Sequence, residues 1–129
     1  MKAGIALLTL AFLLRPCVGR ADDLGPEDKG TPAVVTGWLR DAACLMHYKK
    51  VTKPLNECAK MCAEVGSPLV VATPDGKLYT PISETIPETD QRKLLLEHVG
   101  KYVRVSGRLF ERSGMRAISV EKIEDVAEP

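Results

Sequence analysis

The sequence predicts a mainly β domain of the α+β class: a small five-stranded barrel with two helices, one of them inserted after the first strand. Three observations carry this. Five short stretches rich in β-branched residues are bounded by Gly- and Pro-bearing turns. Two other segments place apolar residues at helical spacing. Finally, the first and fourth strand-like stretches each hold an internal glycine, where a small barrel must bend its strands.

The 129 residues suffice for one domain, and the first of them read as a leader. Residues 1–21 have the form of a secretory signal peptide. Lys2 supplies a positive start, Ala3 to Leu14 is an uncharged and mostly apolar run, and Gly19-Arg20-Ala21 offers small residues for cleavage after Ala21. The run is too short to span a bilayer. The expected location is therefore periplasmic or secreted, with no membrane span. Loss of Lys2, Arg15 and Arg20 leaves 15 basic residues against 17 acidic ones, a net charge of −2. That balance argues against nucleic acid as a partner. Cys17 leaves as well, so four cysteines become three, an odd number for an oxidising compartment.

Residues 22–32 (D-D-L-G-P-E-D-K-G-T-P) are acidic, rich in Gly and Pro, and without period, as in a flexible leader. The single domain is expected over 33–124. Ala33 to Asp41 reads as the first strand, with Val35, Gly37 and Leu39 on one face and Val34, Thr36, Trp38 and Arg40 on the other. Pro54 to Val65 reads as a helix opened by Pro54 and stopped by Gly66. Leu55, Cys58, Ala59, Cys62 and Val65 share one side of it, which is expected to face the interior.

Leu69–Thr73 and Lys77–Ile82 are the arms of a hairpin around the turn Pro74-Asp75-Gly76. A second helix is expected from Ile86 to Val99, with Thr85 and Glu88 as a capping box and Leu95, Leu96 and Val99 inward. Tyr102 to Phe110 alternates with Val103, Val105, Gly107 and Leu109 on one side, and Met115 to Ile123 closes the domain. Residues 125–129 read as a frayed tail. The frames V-T-G-W-L (35–39) and V-S-G-R-L (105–109) echo one another, as two neighbouring strands that bend together would. Setting the cysteine helix aside, the order β-β-β-α-β-β is that of a small OB-type barrel.

The ordered set G-W-L-x-D-x-x-C, C-A-x-x-C-x-x-x-G, D-G-K-x-Y and V-G-K-x-V-x-V-x-G-x-L spans residues 37–109. In it the chain resembles a group of small exported bacterial OB-fold-like proteins with a D-x-x-C … C-A-x-x-C segment after the first strand. The resemblance implies the fold and export. It implies no established reaction.

Chemistry concentrates between Asp41 and Cys62, which hold Cys44, His47, Cys58 and Cys62. One reading is a disulfide from Cys44 to Cys58 or to Cys62, pinning the inserted helix at a gain of about 3 kcal/mol and leaving one thiol over. Cys58 and Cys62, one helical turn apart, suit each other poorly, with Cβ atoms about 6 Å apart. The sharper reading is a metal site. Cys44-x2-His47 and Cys58-x3-Cys62 together make a Cys3His set suited to zinc, and the thioethers of Met46 and Met61 would extend it toward copper. A third reading is thiol–disulfide exchange, with two helix cysteines competing for Cys44.

Asp41 is expected to cap the turn that follows it. Lys49, Lys50, Lys53 and Lys60 near the cysteines, and Arg104, Arg108, Arg112 and Arg116 near the last hairpin, read as solvated faces, since few aromatics accompany them. No catalytic serine set, paired carboxylates or phosphate loop is legible. The chain therefore reads as a binding module with a Cys/His cluster, more readily than as an enzyme. The alternative is a disulfide-stiffened domain whose barrel face meets a protein or carbohydrate partner.

Overall fold

The computed structural model describes residues 25–48 and 56–129. The expected signal peptide with Cys17, the first part of the leader, Lys49, Lys50, Lys53, and the helix start at Pro54 and Leu55 lie outside the described residues. Within them the chain order is β1 (Thr31–Asp41), α1 (Ala42–His47), α2 (Asn56–Glu64), β2 (Leu69–Ala72), β3 (Leu78–Ile82), α3 (Arg92–Leu96), β4 (Tyr102–Arg112), β5 (Met115–Ser119) and β6 (Lys122–Asp125).

Strand order is β1-β2-β3-β5-β4, and β1 pairs again with β4, which closes a five-stranded barrel. All these pairs are antiparallel except β3 with β5. This is the OB-like α+β barrel that the element order predicts, with α2 inserted between the first two strands and α3 between the third and fourth. β6 is an extra strand laid antiparallel along β4. It arises because the expected last strand breaks at Val120 and Glu121, whose N–H groups turn to Ile82 and Ser106 carbonyls.

The barrel fills from alternate positions. Val35, Leu39, Leu69, Val71, Val103, Val105, Ile118 and Val120 form its core, closed by Leu95 from α3, Val99 from the turn after it, and Ala59 and Ala63 from α2. Trp38 packs edge-on against Tyr102 with ring centroids 4.8 Å apart, the packing role its outward phase suggests. The echoed frames on β1 and β4 are neighbours: Val35 lies opposite Val105 and Gly37 opposite Val103. Both glycines answer a close approach. A Cβ at Gly37 would lie 2.4 Å from the Ala72 carbonyl oxygen, and one at Gly107 would lie 1.7 Å from that of Ser119. At Gly107, β4 passes from pairing with β6 to pairing with β5.

Three expectations need correction. β1 starts at Thr31, and the leader before it is partly held, since Arg108 donates to the Lys29 and Gly30 carbonyls. The helix expected over 86–99 is only α3. Its intended cap fails because Pro87 disfavours helix at Ile86, while Thr85 N–H and Thr89 N–H both donate to Ser83 Oγ. Arg40, expected on the face opposite Leu39, is buried along with Leu39 and Asp41 at the end of β1.

Candidate metal centre

The site grows from the end of β1. Asp41 leaves the strand extended (φ −77°, ψ 139°), and its carboxylate Oδ2 accepts from Cys44 N–H at 2.8 Å, capping α1. Asp41 is the cap its position suggests. The helix it starts was not anticipated, although Ala-Ala-Cys-Leu-Met behind an Asp is a usable start signal. Cys44 therefore sits in the first turn of a helix, not in a loop. Leu45 anchors α1 in the interior. Ala42 N–H donates to the Pro68 carbonyl at 2.8 Å, and Ala43 N–H to Ser67 Oγ at 3.3 Å. These bonds tie the start of α1 to the chain just beyond α2.

α2 ends where Gly66 (φ +107°) lets Gly66 N–H reach the Ala63 carbonyl and Ser67 N–H reach that of Cys62. The guanidinium of Arg92, at the head of α3, also donates to the Ala63 carbonyl, a cation on the negative end of a helix. α2 is thus held from both sides.

Its orientation differs from the expected one. Ala59 and Ala63 form the buried stripe. Cys62 is half-buried, Cys58 is exposed, and Val65 stands out in solvent. The small alanines let α2 lie close on the barrel, which turns the stripe Cys58, Met61, Cys62 and Val65 outward along its flank. That flank faces α1.

The result is a triangle of sulfurs. Cys44 Sγ lies 3.4 Å from Cys58 Sγ and 3.7 Å from Cys62 Sγ, and all three sulfurs lie within 4.8 Å of one another. A disulfide requires about 2.05 Å, so no pair is bonded at these distances. Four ligands at a zinc–sulfur distance of about 2.3 Å stand about 3.8 Å apart, close to the 3.4 and 3.7 Å separations from Cys44. Cys44, Cys58 and Cys62 can therefore hold a metal ion. His47, at the exposed end of α1, falls outside this group. Met46 and Met61 are 70% and 67% exposed.

The field at the triangle is negative. The Cys44 thiol is pushed up to about 12, first by sharing its hydrogen bond with Cys58, then by burial, Cys62 and the Asp41 carboxylate. For Cys62 the hydrogen bond with Cys44 favours the thiolate, but burial, Asp41 and Cys58 outweigh it and raise the thiol. Protons and a metal cation compete for the same sulfurs, and Asp41 favours either one.

Among the described residues, no helix is long and apolar enough to cross a membrane. No family model, curated protein or solved structure matches the chain.

Proposed function

We propose that the chain is an exported binding module that holds one soft metal ion, zinc or copper(I), through Cys44, Cys58 and Cys62. The observation that carries this reading is the convergence of three thiols from two separate helices on one point. Structural cysteines of a core pack singly as small hydrophobes, whereas these three gather at the surface end of the barrel. Thiol ligands select soft ions, and Asp41 supplies a buried negative charge beside them. Export is supported by Lys2, the Ala3–Leu14 run and the Gly19-Arg20-Ala21 site, and by the resemblance to small exported bacterial OB-fold-like proteins.

The test is metal content of the reduced chain by native mass spectrometry after one equivalent of zinc. One bound ion, lost when the thiols are alkylated, is the expected result. A chain that takes up no ion while its three thiols remain free overturns the reading.

A second reading has its own observation. The 3.4 Å between Cys44 and Cys58 asks for little movement to reach a disulfide. In that state the cluster is a staple for α1 and α2 with one thiol left over. Intact mass of the purified chain separates the two: loss of two hydrogens, with one alkylatable thiol and no metal, assigns the disulfide.

A further inference from the structure

Three thiols are one ligand short of a closed tetrahedral site. Among the described residues, no fourth His, Cys, Asp or Glu joins the three sulfurs. The linking residues 49–55 (K-K-V-T-K-P-L) hold no Cys, His, Asp or Glu, and His47 lies outside the group. The Asp41 carboxylate, which caps α1 through Oδ2, also lies outside the group. The side of the triangle marked by Cys58 is exposed, and near the cysteines in sequence Met46, Tyr48, Glu57, Lys60, Met61 and Val65 all stand in solvent. Sites with three protein ligands and an open fourth position are exchange sites: they accept a ligand from outside.

Charge decides what that ligand is. A divalent ion on three thiolates carries a net −1, and buried Asp41 lies against Cys44. A further anion entering there would meet like charge, whereas a neutral donor would not. A neutral nitrogen donor completes a Cys3His-type tetrahedron.

Resting on the metal reading above, we infer that the fourth coordination position is filled from outside the chain by a neutral imidazole, so that the centre works by ligand exchange. An imidazole nitrogen displaces whatever weak ligand, such as water, occupies that position; its lone pair forms the new metal–nitrogen bond and no electrons are transferred between metal and ligand.

The test loads the reduced chain with one equivalent of cobalt(II) and titrates imidazole, following the ligand-field bands and the protein-bound metal by native mass. The expected result is a saturable band shift with one imidazole per chain and no loss of metal, the same in wild type and in His47→Ala. A tighter response to an N-acetylated histidine peptide than to free imidazole assigns the donor to a protein partner, and an equal response assigns it to a small molecule. Bands that do not move, or that move only in His47→Ala, overturn the inference, the latter because the chain's own histidine then closes the site. Metal stripped from the protein, or one ion shared by two chains, overturns it as well. If the reduced chain binds no cobalt, the metal reading itself fails, and this outcome is visible before any imidazole is added.

Discussion

Cys44 Sγ stands 3.4 Å from Cys58 Sγ although the two are fourteen positions apart and sit on different helices. Neither residue is part of the barrel core. Their approach is set by contacts elsewhere: the Asp41 cap and Leu45 fix α1, while Ala59, Ala63 and the Arg92 contact fix α2. The scaffold is thus assembled without help from the sulfurs, which leaves them available for a ligand.

Serine at any of the three cysteine positions should therefore weaken metal binding without unfolding the chain. Removal of one of three thiolates should lower affinity by at least about tenfold, and the exposed Cys58→Ser should shift stability by no more than about 0.5 kcal/mol. Competition titration against a chromophoric chelator reads the first quantity and urea unfolding the second. A Cys58→Ser chain that binds zinc like wild type would remove Cys58 from the ligand set.

Asp41 combines two roles that substitution can separate. Asparagine can still cap α1, so Asp41→Asn should retain the helix, whereas Asp41→Ala should cost about 1 kcal/mol. Both remove the negative charge beside Cys44, and each should weaken metal binding by roughly tenfold, as loss of a ligand's supporting partner does. Equal zinc affinity in wild type and Asp41→Asn would confine Asp41 to capping.

The barrel was legible in the sequence because its signals are local and mutually consistent. Alternation in 33–41 and 102–110, the Pro-Asp-Gly turn and Gly66 each name an element end, and the shared V-[ST]-G-x-L frame correctly makes β1 and β4 neighbours. The cluster was legible as three cysteines but not as a geometry. Counting Leu55, Cys58, Ala59, Cys62 and Val65 as the inward stripe is right for Ala59 but overlooks Ala63: the two alanines permit closer packing against the barrel than the larger residues, and they form the buried side. The expected helix over 86–99 failed at Pro87, where the backbone restriction outweighed a capping box that matched only by spacing.

Acid should weaken the β2–β3 turn. The Asp75 carboxyl is held down at about 2, first by its hydrogen bond from Thr73 and then by Lys77, whose ammonium lies 2.9 Å away. A carboxyl with a folded-state value below its unfolded value of about 3.8 contributes stability above pH 4. That contribution fades as pH falls from about 4 toward 2 and is gone below both values. Asp75→Asn should consequently be less stable than wild type at pH 7, and the two should converge near pH 2. Urea midpoints at both pH values check this. A constant difference would mean that the loss comes from turn geometry and not from the charge.

The barrel's closure depends on two positions with no room for a side chain, and they should not respond alike. At Gly107 a Cβ would lie 1.7 Å from the Ser119 carbonyl oxygen, and the neighbouring Arg108 N–H donates to the hydroxyl of the same Ser119, which holds that residue close to β4. Relief would require β5 to move away from β4 at the point where β4 changes partner. At Gly37 the approach is 2.4 Å to the Ala72 carbonyl oxygen, at the last pair joining β1 to β2. That end of the ladder adjoins a turn and can open by a few tenths of an ångström more easily. Gly107→Ala should cost about 3 kcal/mol or more, and Gly37→Ala less. Because β1 carries Asp41 only four residues after Gly37, the milder variant should still weaken zinc binding measurably by displacing α1. Urea unfolding paired with zinc titration tests both halves: a Gly37→Ala chain that loses stability yet binds zinc like wild type would show that α1 is held by its Pro68 and Ser67 contacts alone.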